Sequence, residues 1–265
     1  MSRDIVLHAV SMLFHGREAD LLALDKVDLE IPAGRFVSLI GPSGCGKSTL
    51  LRLIADILKP HSGRILLGGD NPRAARLARA IGFVFQAPTL LPWRTVRQNV
   101  ELPLKIVGSA VARGASPDEM IRLVGLEGFE NALPHELSGG MQQRAAIARA
   151  LVLRPRILLL DEPFGALDEI TRQRMNLELL RIWAESGTTA VLVTHSIAEA
   201  VFMSDEVHIM SARPGRITGT VPIDLPRPRD LAMMRGREFF DCVNKVRDGL
   251  FGYEGIPGSV PVEAF

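Results

Sequence analysis

The length, composition and charge of the chain exclude several classes of protein. The chain has 265 residues, 47% of them hydrophobic, and a formal net charge of +1 at pH 7. The length suits one large domain, or one domain with an insert, and the near-neutral charge argues against nucleic acid as a partner. Two cysteines, Cys45 and Cys242, are too few for a disulfide framework and favour a reducing cytosol. We find neither an apolar run that could cross a bilayer nor a signal-peptide segment after Met1.

Hydrophobic patterning predicts a series of strands in the chain. Alternating residues predict strands at 6–10 and 27–31, and short apolar runs predict strands at 36–40, 64–67, 82–86, 157–161, 189–194 and 207–210. The run at 157–161 is apolar up to its last residue, Asp161, which fits a strand covered on both faces. We therefore expect an α/β core.

The pattern becomes helical between Gln86 and Ile157, with helices predicted at 118–124 and 141–151. We interpret the stretch at about 87–156 as a helical insert in the α/β core. Prolines at positions 214, 222, 226 and 228 predict a loop-rich exit from the core. A last amphipathic helix is predicted at 238–250, within a C-terminal helical tail at about 229–265, and we expect the end at 255–265 to be mobile.

The segment after the strand predicted at 36–40 matches a phosphate-binding loop, Gly-x-x-x-x-Gly-Lys-Ser/Thr. Glycines let the backbone N–H groups face phosphate oxygens, and the N-terminus of the following helix adds partial positive charge. Lys47 can reach the β- and γ-phosphates, and the Ser48 hydroxyl can bind Mg²⁺. A chance glycine-rich turn is disfavoured by the strand–loop–helix context. The candidate nucleotide-binding residues are Gly41, Pro42, Ser43, Gly44, Cys45, Gly46, Lys47, Ser48 and Thr49.

A second glycine-rich segment opens the helix predicted at 141–151. Residues 137–144 read Leu-Ser-Gly-Gly-Met-Gln-Gln-Arg. Ser138 suits an N-cap, and with Gly139 and Gly140 it can form an anion site at the start of the helix. Taken alone, the segment is explained equally well as an ordinary capped helix.

An acidic pair, Asp161 and Glu162, ends the strand predicted at 157–161 and precedes Pro163. A buried strand that ends in two carboxylates is the expected partner of a phosphate loop. Asp161 can serve Mg²⁺, and Glu162 can orient and deprotonate a water molecule. A strand-end acid without a chemical role is the alternative for Glu162, but the Asp-Glu-Pro context disfavours it.

The phosphate loop, the Leu-Ser-Gly-Gly-Met-Gln-Gln-Arg segment and the strand with Asp-Glu-Pro, in this order, resemble the ATP-binding cassette (ABC) family, the ATPase subunits of ABC transporters. The resemblance covers residues 6–216. It implies one ABC ATP-binding domain over 1–265, with an α/β fold: a P-loop NTPase core, an N-terminal antiparallel β subdomain and an inserted α-helical subdomain. It also implies ATP and Mg²⁺ as cofactors. A homodimer would sandwich each ATP between one subunit's phosphate loop and residues 138–140 of the other.

The resemblance also assigns roles to residues outside the phosphate loop. Phe14 is similar to the aromatic residue that stacks on adenine, although it could be a core aromatic while His15 faces the base. Asp168 matches the loop that crosses the dimer interface. Gln86 matches the glutamine at the junction with the helical insert. His195 matches the switch histidine, which would stabilise the γ-phosphate or position water; a surface histidine is the alternative.

The implied catalytic residues are therefore Glu162, His195 and Gln86, and the implied ligands of Mg²⁺ are Ser48, Gln86 and Asp161. The chain departs from the usual family pattern at two positions. Asp56 stands where members usually carry Gly, and Ser196 stands where they often carry Asp after the histidine. Asp56 lies beyond the phosphate contacts, and Ser196 leaves the role of His195 intact.

Several phrases are similar to the nitrate, sulfonate and taurine branch of the family. They lie at 91–96, 161–168, 194–202 and 211–217. The resemblance implies import of a small anionic nutrient across the inner membrane. The partners would be membrane permease subunits and a periplasmic or lipid-anchored substrate-binding protein, with the chain bound peripherally at the cytoplasmic face. Residues 88–97 would receive a permease helix, with Trp93 as an anchor; packing of Trp93 within the helical insert is the alternative.

Other functions within the family stay open. A non-transport ABC ATPase acting on DNA or ribosomes usually carries a second cassette, long coiled coils or zinc modules, and the sequence has none of these signatures. A regulatory cassette without turnover is disfavoured because Glu162 and His195 are both present. An ATPase of a lipid or vitamin-precursor transporter is a further alternative. The sequence names neither the cargo nor the choice between identical and different ATPase subunits.

Overall fold

A computed structural model of the chain describes residues 3–16, 19–108, 114–165 and 167–252. Within these ranges the strands form two sheets. In chain order the strands are β1 (Arg3–Phe14), β2 (Leu21–Pro32), β3 (Phe36–Ile40), β4 (Ser62–Leu67), β5 (Ile81–Val84), β6 (Ile157–Asp161), β7 (Thr189–Val193), β8 (Glu206–Met210) and β9 (Ile217–Pro222). The α-helices are α1 (Lys47–Ile54), α2 (Pro72–Leu77), α3 (Val96–Val107), α4 (Pro117–Leu123), α5 (Gly139–Leu151), α6 (Glu169–Ser186), α7 (Ile197–Met203) and α8 (Arg237–Phe251).

The larger sheet has the strand order β5-β6-β7-β3-β8-β9. Its first five strands are parallel, and β9 pairs antiparallel with β8. Every residue of β3, β6 and β7 is buried, as expected for apolar strands covered on both faces. Parallel strands end at one edge of a sheet, so the segments that follow β3, β6 and β7 converge there. The phosphate loop, Glu162 and His195 lie in these segments, and Asp161 is the last residue of β6.

The smaller sheet is antiparallel, with the order β2-β1-β4. Ile5 and Leu7 of β1 are buried in one cluster with Leu50 of α1. Because α1 begins at the end of the phosphate loop, this packing fixes the small sheet beside the loop. The last pair of the β1–β2 ladder, Phe14 and Leu21, lies at the end of the sheet that faces the loop.

Helices α3, α4 and α5 lie between β5 and β6 in the chain. They share a buried cluster that includes Val100, Ile121 and Ile147. The helices predicted at 118–124 and 141–151 are confirmed, with ends that differ by one or two residues. Helix α8 confirms the amphipathic helix predicted at 238–250. The segment 255–265 lies outside the described residues. None of the described helices has both the length and the hydropathy that a membrane span requires.

The predicted loop-rich exit is wrong over Ile217–Pro222, which forms β9. This strand lies at the edge of the sheet and alternates between half-buried and exposed residues. It contains Thr218, Gly219 and Thr220, so its apolar signal is weak. The flanking prolines are tolerated because an edge strand leaves one row of backbone groups without partners. Pairing with β8, rather than local hydrophobicity, produces this strand.

The structure explains why Asp56 is an unusual residue at its position. Its φ of +59° lies in the left-handed region, which favours glycine. Asp and Asn enter this region more readily than other side chains. The Asp56 carboxylate is paired with Lys59 and, at 2.9 Å, with Arg76, and these hydrogen bonds oppose the effect of burial and lower its pKa. The pairing ties the end of α1 to α2.

Candidate functional site

The phosphate-binding loop joins β3 to α1 in a conformation that depends on glycine. Gly44 has a φ of +74°, and Gly46, the N-cap of α1, has a φ of +104°. The φ of Gly46 disfavours every other residue, and a side chain at this position would lie only 2.6 Å from Leu24. The first turn of α1 carries no acidic residue. The N-terminus of α1 therefore keeps its partial positive charge for an anion.

Lys47 closes the loop on itself. Its ammonium Nζ donates to the carbonyl of Gly41 at 2.8 Å and to that of Pro42 at 3.0 Å, and only 6% of the residue is exposed. Both acceptors are neutral carbonyls, so the charge of Lys47 is not matched by a carboxylate in these contacts. A phosphate group would be a stronger acceptor for the same ammonium.

Ser48 and Asp161 meet across the sheet edge, 113 residues apart in the chain. The Ser48 hydroxyl donates to Asp161 Oδ1 at 2.7 Å. Burial of Asp161 raises the pKa of its carboxyl, and the hydrogen bond from Ser48 partly offsets that rise. A hydroxyl and a carboxylate are the hard oxygen ligands that Mg²⁺ prefers. This pair therefore fits the predicted metal site by its chemistry and its place beside the loop.

Glu162 and His195 form a second pair at this edge. Atom Nδ1 of His195 lies 3.4 Å from Oε2 of Glu162. Glu162 has a φ of +45°, which is strained for a residue other than glycine. Its backbone is held there because its N–H donates to the Val193 carbonyl at 3.0 Å and its own carbonyl accepts from Gly165 at 3.1 Å. The turn directs the Glu162 side chain into the cleft beside the loop.

A cleft of about 340 Å³ collects most of these groups. The lining residues are Phe14, Leu21, Ala23, Ser43, Gly44, Gly46, Lys47, Ser48, Thr49, Glu162 and Arg213. Apolar residues of the small sheet form one side, and the loop and Glu162 form the other. A larger cavity of about 570 Å³ lies between α4 and the end of α6 but contains no residue of the phosphate loop. The smaller cleft has the chemistry of a nucleotide site.

Comparison with known proteins identifies the family. Residues 24–165 match the family described as ABC transporter, which is more than half of the chain. The chain belongs to the ABC transporter family. The predicted family and the predicted α/β fold class are confirmed, and this ABC transporter chain is an ATPase.

Named relatives of this ABC transporter chain include two import proteins. It is 40% identical over 252 residues to an aliphatic sulfonates import ATP-binding protein of Bacillus cereus, covering 95% of this chain and 97% of the relative. It is 47% identical over 230 residues to a nitrate import ATP-binding protein of Synechococcus elongatus, covering 85% of this chain and 35% of that protein. A solved ATP-binding cassette, dimeric in a post-hydrolysis state with ADP and Pi, is 35% identical with a TM-score of 0.72, covering 84% of this chain and all of that one.

The three predicted site residues of the second glycine-rich segment lie outside the cleft of their own chain. Ser138 caps α5, since its Oγ accepts from the backbone of Met141 at 3.3 Å. Gly139 and Gly140 follow it, and a side chain at Gly140 would lie 3.5 Å from the sulfur of Met175 in α6. None of the three lines the cleft beside the phosphate loop. The start of α5 in this ABC transporter chain therefore faces a different part of the surface.

Asp168 is the N-cap of α6. Its Oδ1 accepts from the backbone of Thr171 at 3.0 Å, and hydrogen bonds from Thr171 lower the pKa of the Asp168 carboxyl. A side chain at Gly139 would lie 3.9 Å from Leu167, so the segment before Asp168 passes beside the start of α5. The structure thus brings the predicted interface loop next to the second glycine-rich segment.

The remaining predicted residues are divided between the cleft and its surroundings. Phe14 lines the cleft, whereas His15 turns to Asp20, with Nδ1 at 3.1 Å from Oδ1. Gln86 is exposed just after β5, and its side chain makes no hydrogen bond within the described part of the chain. Ser196 caps α7 by accepting from Glu199 at 3.3 Å, a role that Asp can fill equally well.

The sequence prediction missed three lining residues of the cleft, the apolar Leu21 and Ala23 and the charged Arg213. The guanidinium Nε of Arg213 donates to the Gly44 carbonyl at 2.7 Å. The only signal for Arg213 in the sequence was the phrase at 211–217, which resembles the importer branch but carries no known phosphate-binding pattern.

Proposed function

We propose that this chain is the ATP-hydrolysing subunit of an import complex that takes up a small anionic nutrient of the nitrate, sulfonate or taurine type. The observation that carries the proposal is the sheet edge at which the phosphate loop, the Ser48–Asp161 pair and the Glu162–His195 pair meet, beside a cleft that the loop and Glu162 line. The two relatives named for import of nitrate and of aliphatic sulfonates support the cargo class.

The phosphate loop binds the phosphates of ATP in this proposal. Backbone N–H groups of the phosphate loop and the N-terminus of α1 supply donors, and Lys47 exchanges its two carbonyl acceptors for phosphate oxygens. Phe14, which is 37% exposed at the apolar side of the cleft, offers a ring face for the adenine.

Ser48 and Asp161 would hold Mg²⁺, and Gln86 would complete the protein ligands. When bound, the ion neutralises charge on the phosphates. The raised pKa of the Asp161 carboxyl is consistent with this role, because a buried carboxylate gains most from a cation. Gln86 needs to turn toward the cleft, and its exposed, unbonded side chain is free to do so within the described structure.

Glu162 acts as the general base on the attacking water molecule. The strained turn at Glu162 holds the carboxylate at the cleft, and His195 lies close enough to orient it or to bind the γ-phosphate. Hydrolysis then depends on groups from three strand ends, β3, β6 and β7, that the parallel sheet brings together.

A homodimer completes the site. The start of α5 lies outside its own cleft, so Ser138, Gly139 and Gly140 would serve the ATP held by the partner, and Asp168 would lie at the interface. The dimeric state of the solved cassette supports this arrangement. ATP binding would close the dimer, and hydrolysis would release it.

The chain would act peripherally at the cytoplasmic face of the inner membrane, bound to permease subunits that receive cargo from a substrate-binding protein. Trp93 supports a docking surface for the permease, because 72% of this residue is exposed.

Replacing the general base tests the chemistry. We expect Glu162→Gln to lower ATP turnover by at least about 100-fold, the usual loss when a general base is removed, while ATP still binds and holds the dimer. The measurements are phosphate release and size-exclusion chromatography with saturating ATP and Mg²⁺. Glu185→Gln, on the exposed end of α6, is the matched control. Normal turnover in Glu162→Gln, or a monomer under saturating ATP, would contradict the proposal.

Uptake of labelled nitrate, taurine and an alkanesulfonate by cells that carry only Glu162→Gln tests the transport role. We expect uptake of one of these anions to be lost and to return with the unmodified gene. Undiminished uptake of all three would remove the proposed cargo class.

A further inference from the structure

The turn between β8 and β9, residues 211–216, lies directly against the phosphate loop. A side chain at Gly215 would lie 2.0 Å from the carbonyl oxygen of Cys45. The same glycine donates to Ala23 at 2.9 Å and accepts from Asp25 at 3.0 Å, which ties the turn to β2. The turn therefore packs between the small sheet and the phosphate loop, beside the cleft.

Arg213 extends from this turn to the loop. Its Nε donates to the Gly44 carbonyl at 2.7 Å, and its guanidinium lines the cleft with Phe14 and Lys47. A side chain at Gly44 would lie 2.7 Å from a terminal nitrogen of Arg213. The guanidinium thus packs on the loop itself, 169 residues away in the chain.

The charge of Arg213 has no acidic partner among the described residues, although Arg216, three positions later, pairs with Asp25. An arginine keeps its charge at every physiological pH. A cation that lines a cleft and lacks a carboxylate partner is suited to an anionic ligand.

We propose that Arg213 is a positioning and charge-bearing residue of the nucleotide site: it holds the phosphate loop through the Gly44 carbonyl and adds a second cation, beside Lys47, that attracts the polyphosphate of ATP. The inference rests on the proposed location of the nucleotide in this cleft.

The contact with Gly44 has a consequence for the loop's donors. In a trans peptide the carbonyl and the following N–H point in opposite directions. The hydrogen bond from Arg213 therefore fixes the orientation of the Cys45 N–H, which donates inward to the Pro42 carbonyl at 3.3 Å. A fixed loop has less conformational entropy to lose when ATP binds, so Arg213 increases affinity through the loop as well as through its charge.

The test compares ATP binding by four variants of the full chain: Arg213→Gln, Arg213→Lys, Arg216→Gln and Lys47→Ala. Arg216→Gln removes the same charge from the same turn, but its side chain faces Asp25 instead of the cleft. Dissociation constants for ATP are measured by calorimetry at low and high salt, with the melting temperature of each variant without nucleotide.

We expect Arg213→Gln to weaken ATP binding about tenfold, the effect of one charge-assisted contact, and to reduce its salt dependence. Arg213→Lys keeps the charge but loses the guanidinium fork, so it should recover part of the affinity. The melting temperatures of Arg213→Gln and Arg216→Gln should be similar. Arg216→Gln should bind ATP nearly as the unmodified chain does.

Near-normal affinity in Arg213→Gln, together with strong loss in Lys47→Ala, would overturn the role of Arg213 alone. Equal weakening in Arg213→Gln and Arg216→Gln would also overturn it, because the cause would be a loosened turn. Near-normal affinity in Lys47→Ala would instead show that the proposed nucleotide site is wrong.

Discussion

Asp161 and Glu162 are adjacent in the chain, yet the fold treats their carboxylates differently. Asp161 is buried at the end of β6, where burial raises the pKa of its carboxyl. Glu162 lies one residue further, in the left-handed region and at the open cleft. Burial makes the ionised form of Asp161 unfavourable, and the positive φ makes the backbone conformation of Glu162 unfavourable. Such costs are typical of functional sites, where they are offset by the rest of the fold.

The raised pKa of Asp161 predicts a stabilising substitution. The folded chain holds the Asp161 proton more tightly than the unfolded chain, so ionisation above that pKa lowers the free energy of unfolding. Asparagine is neutral at every pH and can still accept from Ser48. We expect Asp161→Asn, without Mg²⁺, to raise the melting temperature near pH 7, because the cost of ionising a buried carboxyl is removed.

This gain should disappear as the pH falls through the raised pKa, because the unmodified carboxyl then becomes neutral as well. ATP turnover with Mg²⁺ should be lost at every pH. Thermal melting from pH 4 to pH 8 with a chelator measures the first effect, and Asp70→Asn, at an exposed turn, is the control. A lower melting temperature for Asp161→Asn at neutral pH would disprove the argument.

At the scale of elements, one buried asparagine determines the approach to α3. Asn99 is fully buried, and its amide donates to the carbonyls of Leu91, Arg94 and Thr95 at 3.2, 2.9 and 3.0 Å. Its Oδ1 accepts from the Leu91 N–H at 2.7 Å. The segment 91–95, which carries Trp93, has no regular secondary structure. The Asn99 side chain supplies part of the hydrogen bonding that its backbone needs.

Asn99→Leu keeps a similar side-chain volume but removes the partners of the Leu91 N–H and the Arg94 carbonyl, whereas the carbonyls of Leu91 and Thr95 keep backbone donors. Each buried group left unpaired costs roughly 1–3 kcal/mol. We expect a lower melting temperature and faster amide hydrogen exchange, confined mainly to 91–95. Asn244→Leu, on the exposed face of α8, should change neither. Unchanged exchange at 91–95 in Asn99→Leu would show that other contacts hold the segment.

At the scale of the whole molecule, the two glycine-rich segments of one chain do not form one site. The start of α5 packs on α6 through Gly140, and it does not line the cleft beside the phosphate loop. We therefore propose that the start of α5 serves the ATP held by a partner subunit.

Ser138→Arg tests whether the start of α5 acts on the ATP held by a partner subunit. We expect nearly unchanged ATP binding, since the chain's own loop is intact, and a loss of turnover of about 100-fold or more, as for other removed transition-state donors. Ser186→Arg, at the end of α6, is the control.

The ATPase assay is repeated on a mixture of Ser138→Arg and Lys47→Ala chains. A mixed dimer regains one complete site, so turnover should rise above that of either variant alone. A mixture as inactive as its components would argue against the shared site.

Much of the architecture could be predicted from the sequence. The apolar runs that became β3, β6 and β7 are buried on both faces, and a pattern of this kind reports burial directly. The phosphate loop and the acidic pair were also recognisable, because each depends on residues that are close in sequence. The family and fold class were confirmed, whereas the roles of individual site residues remain predictions.

Other features follow from the sequence only through the tertiary structure. The edge strand β9 was missed because its stability comes from pairing with β8, and its own residues are polar or half-exposed. Arg213 reaches Gly44, and Glu162 meets His195, because the order of strands in the sheet places separate turns at one edge. Periodicity and local motifs indicate the secondary structure and the burial of a segment. They carry no information about which distant segment will lie against it, and strand order alone decided that.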